Sequence, residues 1–389
     1  MTTLSSTLQE MSTGLQEQLV SMRRELHRHP ELSGEEHETT ARIRAWLTEA
    51  GVPLRELNLT TGVLAEIQGG RPGPTILLRA DIDALPVQEE TGLPFASEIP
   101  GRMHACGHDF HTTSMIGAAA LLQKHASTLA GNVRILFQPA EETASGAKTV
   151  IAAGALEGVS AVFGMHNKPE LPVGTVGLRV GPLMASVDRF IVRVKGVGGH
   201  AGIPEATVDP IVVSSAIVGA LQTLVSRNTS PHHAAVVSVC RLQVGSSWNV
   251  IPESGEMEGT VRTFQREARA NLPEQMRRVV ENVAAGYGAE AELEWIGMLP
   301  AVNNDAAAIE LTDRVARSQG LQVVEAVSTM GGEDFALYQE QVPGAFLWMG
   351  TGGTEQWHHP KFTLNEDALS ISAALFAEVA IEALQAYAK

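Results

Sequence analysis

The period of the hydrophobic pattern changes repeatedly along this chain of 389 residues, and the order of those changes restricts the fold more than any other feature. Apolar positions at helical spacing run through LQEQLVSMRRELHRHPEL, ending near Pro30, and through TTARIRAWLTEAG, stopped by Gly51. TGVLAEIQGG then alternates as a strand does, and TILLRADIDALP is an apolar strand running into a loop with two aspartates. A long Ala/Leu helix follows MHACGHD, to about His125. NVRILFQPAEE predicts a buried strand with two glutamates just past its end, GAKTVIAAGAL a helix, and AVFGMHN a strand ending at His166. Strands alternating with helices predict an α/β fold, a mostly parallel sheet flanked by helices.

After Pro182 the order becomes β-α-β-β-α-β, from VDRFIVRVKG to AELEWIG, the split arrangement of ferredoxin-like domains. From about Leu299 the helix–strand alternation resumes, through VVEAVS and AFLWMG to a final helix near Lys389. The expected organisation is a catalytic α/β domain of residues 1–183 and 298–389, interrupted by an inserted ferredoxin-like domain over 184–297.

A formal net charge of −16 argues against nucleic acid and anionic membrane surfaces as partners. The polar N-terminus MTTLSSTLQEMSTG lacks the layout of a signal peptide, and no uninterrupted apolar run reaches spanning length. Two cysteines, at 106 and 240, lack framework spacing and fit a reducing compartment, so a cytoplasmic protein is expected. Cys240, in an alternating strand, is expected to pack in the core.

The other cysteine sits in MHACGHDFH, between His104 and His108, company that a soft metal ion explains better than core packing does. Four places hold ligand-type side chains: Cys106 with His108, Glu141 with Glu142, His166, and the His358–His359 pair. Taken singly, each has an ordinary explanation: a short C-x-H, a helix start, a satisfied core histidine, a turn. Together, with three of the four at strand ends or the loops beside them in one α/β frame, they predict a catalytic metal site. Thiolate, imidazole and carboxylate suit zinc, and admit manganese, cobalt or nickel. Of the two adjacent glutamates, one can bind metal while the other takes a proton from an activated water and hands it to a leaving amine. Asp81 and Asp83 either orient ligands or cap a loop.

RRELHRHPELSGEEHET, RADIDALP, MHACGHDFHTT, FQPAEE, GMHN, GHAGIPEATVDP, NVIPE, GGEDFA and HHPKF occur in that order. From about residue 20 to about 385 the set resembles the metal-dependent amidohydrolases of the M20 peptidase family, in the branch of hippurate hydrolases and auxin–amino-acid conjugate hydrolases. The resemblance implies two divalent metal ions per subunit, zinc or manganese foremost, and an inserted lid domain through which homodimers form. It implies that Cys106 bridges both ions, that Glu142 and His358 complete one shell, and that His108 and His166 complete the other. Glu141 is then the general base and acid. His358 rather than His359 fits the ligand place of H-x-P-x-F, and His104 and His111 support rather than ligate. His200 matches a histidine that steadies the oxyanion, in dimeric relatives from the neighbouring subunit. Asn249 and Arg262 match substrate-holding positions, Arg262 being suited to a carboxylate.

The chain departs from the family pattern at Glu205, where histidine is common, and at Lys168, after GMHN. Neither is a ligand in this reading; both put substrate preference in doubt. The expected reaction is metal-dependent hydrolysis of the amide bond of an N-acyl amino acid. The alternatives are a dipeptidase or carboxypeptidase-like exopeptidase and, in another class, a non-catalytic metal-holding protein.

Overall fold

The computed structural model of the chain describes residues 4–388; the first three residues of the polar N-terminal stretch and Lys389 lie outside the described residues. The chain divides into two compact units. One runs to Leu183, resumes over Asn303–Val327 and continues from Asp334; the other comprises Met184–Val302 and Ser328–Glu333. These bounds differ from the sequence expectation at two points. The strand Glu290–Leu299 runs past residue 297, and Ser328–Glu333 joins the second unit, where the Ala185 amide donates to the carbonyls of Thr329 (3.1 Å) and Gly331 (3.0 Å).

The first unit is built on an eight-stranded sheet. Its order is Leu54–Arg55, Val63–Gln68, Ala130–Gln138, Arg71–Asp81, Val159–Lys168, Gly344–Gly350, Thr175–Leu178 and Gln322–Glu325. The four strands from Ala130–Gln138 to Gly344–Gly350 run parallel. Ile76, Leu77 and Leu78 are fully buried in succession, as a strand covered on both faces requires.

Helices His108–His125 and Ala368–Ala386 contribute Met115, Ala118, Ala373 and Ala377 to the same core. They approach closely because residue 117 is glycine: a Cβ there would stand 2.8 Å from that of Ala373. Ala368–Ala386 is also, among the described residues, the one helix long and apolar enough to cross a bilayer. A search for uninterrupted apolar runs does not register it, because Glu378 and Glu382 break the run. Leu375, Phe376 and Ala377 are fully buried, so its apolarity serves packing. The polar N-terminal stretch forms a helix, Leu4–Thr13, docked by buried Leu8 and by the Ser5 hydroxyl, which donates to Glu378 (2.5 Å).

The second unit carries a four-stranded antiparallel sheet in the order Ala235–Val244, Ser254–Thr263, Val187–Lys195 and Glu290–Leu299. With helices Pro210–Ser226 and Arg266–Gly286 it realises the β-α-β-β-α-β order. Burial alternates along Val187–Lys195. Phe190, Val192 and Val194 join a core with Ile217, Leu221, Met276 and Val280, while Arg189 and Arg193 face outward and pair with Glu258 and Glu256. Cys240 corrects one expectation. It is exposed, because the ladder of its strand slips between Val239 and Arg241, and that bulge breaks the alternation that would have turned the thiol inward.

Candidate metal centre

All six residues expected at the metal site belong to the first unit, and sheet register explains how they meet. Asp81 lies opposite Gln138, and Lys168 opposite Gly350, so the parallel strands finish at one edge. Asp83 and the Glu141–Glu142 pair follow directly; His166 is two residues before its strand ends; His358 is on the loop after Gly344–Gly350. Cys106 and His108 sit at the start of helix His108–His125. The turn into that helix passes through Gly107 at φ 85°, where a Cβ would stand 2.4 Å from Asn167 Nδ2. Only glycine lets the ACGH turn approach the strand this closely.

The candidate ligand atoms of Cys106, His108 and His166 lie within 4.8 Å of one another, and so do those of Cys106, Glu142 and His358. Cys106 is common to both groups, and Glu141 joins His108 and Glu142 within the same span. Cys106 Sγ is 3.3 Å from His166 Nε2. Glu142 Oε1 is 3.6 Å from His358 Nε2 and 3.9 Å from His108 Nε2. Two ligands of one tetrahedral ion stand about 3.3–3.8 Å apart, so the Cys106–His166 and Glu142–His358 spacings suit atoms that share an ion. His108 Nε2 and Glu142 Oε1 are buried with no hydrogen-bond partner among the described residues, an arrangement that costs free energy unless a cation answers it.

The charges agree. Burial, then the carboxylates of Glu142, Glu141 and Asp81, push the Cys106 thiol well above its usual range. A thiolate there needs a metal ion beside it. Burial, reinforced by His111, holds His166 well below the usual range, so its imidazole is neutral and offers a lone pair. Burial opposes a charge on His108, yet Asp81, Asp83 and Glu142 outweigh it and push that histidine up to about 10. The pocket is thus rich in negative charge. The residues present fit a divalent cation, and the shared sulfur fits two.

His108 and His166 are each aimed by the other ring nitrogen. His108 Nδ1 is 3.1 Å from Asp83 Oδ1, and His166 Nδ1 donates to the Asn167 carbonyl at 2.9 Å. Asp83 also accepts from Ser33 Oγ (2.7 Å) and the Glu142 amide (3.0 Å), tying two ligand segments together. Asp83 thus orients a candidate ligand directly. Asp81 accepts from His111 Nδ1 (2.6 Å) and from Arg79 Nη1 (2.5 Å). His111 has its other nitrogen taken by the Asn167 amide (2.9 Å), leaving none for a metal. Neither nitrogen of buried His104 has a hydrogen-bond partner among the described residues.

Among the described residues, the non-glycine positions with left-handed backbone are Ala140, Ala144 and His358, on the two loops that carry Glu141, Glu142 and His358. Such conformations cost about 1–3 kcal/mol each and persist where the surroundings enforce them. Glu141 Oε1 accepts from the Asp334 amide at 3.4 Å. The Asp334 carboxylate is gripped by Arg79 (2.7 Å), Gln138 (2.9 Å) and the Ala147 amide (2.9 Å). This support, and that of Asn167, escapes sequence reading: Gln138 and Asp334 are 196 positions apart, and Asn167 reaches the Cys106 carbonyl across 61.

His200, Asn249 and Arg262 belong to the second unit. Exposed His200 lies on a two-residue strand paired with Val250–Ile251, and its Nδ1 accepts from the Gly202 amide at 2.9 Å. Exposed Asn249 gives its carbonyl to the Ala201 amide (3.2 Å). Half-buried Arg262 bonds through Nε to Thr260 Oγ1 (3.1 Å).

Comparison with known proteins places the chain among relatives. An N-acetylcysteine deacetylase of Bacillus subtilis is 58% identical over 368 residues, 94% of this chain and 97% of that protein. An IAA-amino acid hydrolase of Arabidopsis thaliana is 39% identical over 93% of this chain and 84% of its own length. Among solved structures, a dinuclear metal binding peptidase from the M20 family of Bacillus subtilis matches with TM-score 0.89 and 54% identity, covering 96% of this chain and 99% of its own. The model of peptidase family M20/M25/M40 matches residues 77–382, so the chain is a member of that family.

Proposed function

We propose that this chain is a metal-dependent amidohydrolase that cleaves the amide bond of N-acyl amino acids, giving a carboxylate and an amino acid. One observation carries the reading: two ligand groups share Cys106, with Glu141 beside them. Its relatives include a deacetylase of N-acetylcysteine and an amino acid conjugate hydrolase, and one solved relative is a dinuclear metal binding peptidase. In this reading Cys106, Glu142 and His358 hold one divalent ion, and Cys106, His108 and His166 the other. Zinc or manganese is the resident metal, with cobalt or nickel as substitutes. Divalent ions, when bound, supply Lewis acidity toward the scissile carbonyl and toward a water. Glu141 takes a proton from the attacking water as the C–O bond forms. It returns that proton to the amide nitrogen as the C–N bond breaks. His200 donates to the developing oxyanion, while Asn249 and Arg262 hold the substrate, Arg262 through its carboxylate.

The segment 184–297 serves in this reading as lid and dimerisation domain. The cytoplasm suits the protein, because Cys106 must stay reduced to bind metal. A panel of hippurate, N-acetyl amino acids and dipeptides tests the substrate class. Turnover of the N-acyl compounds is expected to exceed that of dipeptides, and turnover of dipeptides alone would replace the reading with an exopeptidase.

A further inference from the structure

The motifs that point to the metal centre leave Trp357 unused, although it precedes one candidate ligand and touches another. Its indole packs against the His166 imidazole, with ring centres 4.4 Å apart. The Lys168 ammonium lies 4.4 Å from the centre of the same ring, close enough for a cation–π attraction. Trp357 Nε1 donates to the Asn167 carbonyl (3.1 Å) and side-chain oxygen (3.2 Å). That carbonyl also accepts from His166 Nδ1, and the Asn167 side chain donates to the Cys106 carbonyl at 2.6 Å. Trp357 is therefore fastened to the strand of His166 and, through Asn167, to the turn of Cys106.

His358 needs such an anchor more than the other ligands do. It sits on a loop, its side chain is 55% exposed, and its backbone is left-handed at φ 66°. Its own backbone tether is the hydrogen bond that its N–H donates to the Ala105 carbonyl, at 2.8 Å. His166 and His108, by contrast, belong to a central strand and a buried helix.

We propose that Trp357 is a positioning residue that pins the His358 loop in ligating geometry, so that the ion held by Cys106, Glu142 and His358 depends on it more than the other ion does. This inference rests on the two-ion reading above. Lys168, where the chain departs from the family pattern, gains a role in it: its ammonium caps the ring that does the pinning.

The test is a zinc titration of the metal-stripped full chain against a competing chelator, which counts ions and reads each affinity without any substrate. Wild type is expected to take up two. Trp357→Leu should keep one affinity and weaken the other roughly 10–100-fold, the usual effect of losing a group that orients a ligand. Trp357→Phe, which keeps a ring but loses the N–H, should fall between. His358→Ala should weaken the same ion, and adding Trp357→Leu to it should cause little further loss. Wild-type affinities in Trp357→Leu, equal weakening of both ions, or full additivity with His358→Ala would overturn the assignment. If Trp357→Leu does not fold, Trp357→Phe and Lys168→Met carry the test, and unchanged affinities in both would overturn it. A wild type that binds fewer than two ions would instead overturn the two-ion reading itself.

Discussion

The histidines of the two units stand in opposite circumstances. His108 and His166 are 1% and 4% exposed, each with one nitrogen fastened and the other facing Glu142 or Cys106. His200 is exposed, on a two-residue strand, and bonds to an amide two positions away. The first unit thus holds its chemistry within itself: sheet register delivers the ligands, and buried acids aim them. The second unit offers side chains whose task depends on what meets them. A buried constellation can be read from its own geometry, whereas an exposed histidine is explained only by a partner or a substrate.

That contrast can be broken by experiment. Glu141→Gln keeps the shape of the buried pocket but removes its proton acceptor. A fall of about 10²–10⁴-fold in kcat is expected, with metal content unchanged by elemental analysis. Activity that survives this change would mean that the first unit does not house the proton transfer. His200→Ala probes the exposed side. A loss of about 10²–10³-fold in kcat is expected, with unaltered metal content and melting temperature. An unchanged kcat would reduce His200 to part of a turn. Asp83→Asn asks whether the acids aim the ligands, and metal affinity measured with a competing chelator should drop about 10–100-fold. Wild-type affinity in that variant would leave the fastened nitrogens without a function.

Much of the first unit was legible because its strands are long apolar runs and its ligands end them. TILLRAD and NVRILFQ read as buried strands, and the glutamate pair and GMHN follow or close such runs, while C-x-H opens a long apolar helix. What was not legible depends on distance or on backbone. Asp334 reaches Arg79 across 255 positions, and no local pattern announces that pairing. The Val239/Arg241 slip that turns Cys240 outward is likewise invisible to alternation, since a bulge adds one residue without altering composition. Trp357 hid for a simpler reason: half-buried tryptophans before a Pro-containing turn are ordinary, and only the ring packing on His166 sets this one apart.

The sulfur of Cys106 is the point on which both ligand groups depend, and it can be tested directly. Cobalt added to the metal-stripped chain should bind with a stoichiometry of two, and the thiolate-to-metal absorption should grow during uptake of the first ion. Cys106→Ser should abolish that band and weaken both ions together. A single bound ion in the wild type, or a Cys106→Ser chain that still binds two with unchanged affinity, would contradict the shared thiolate.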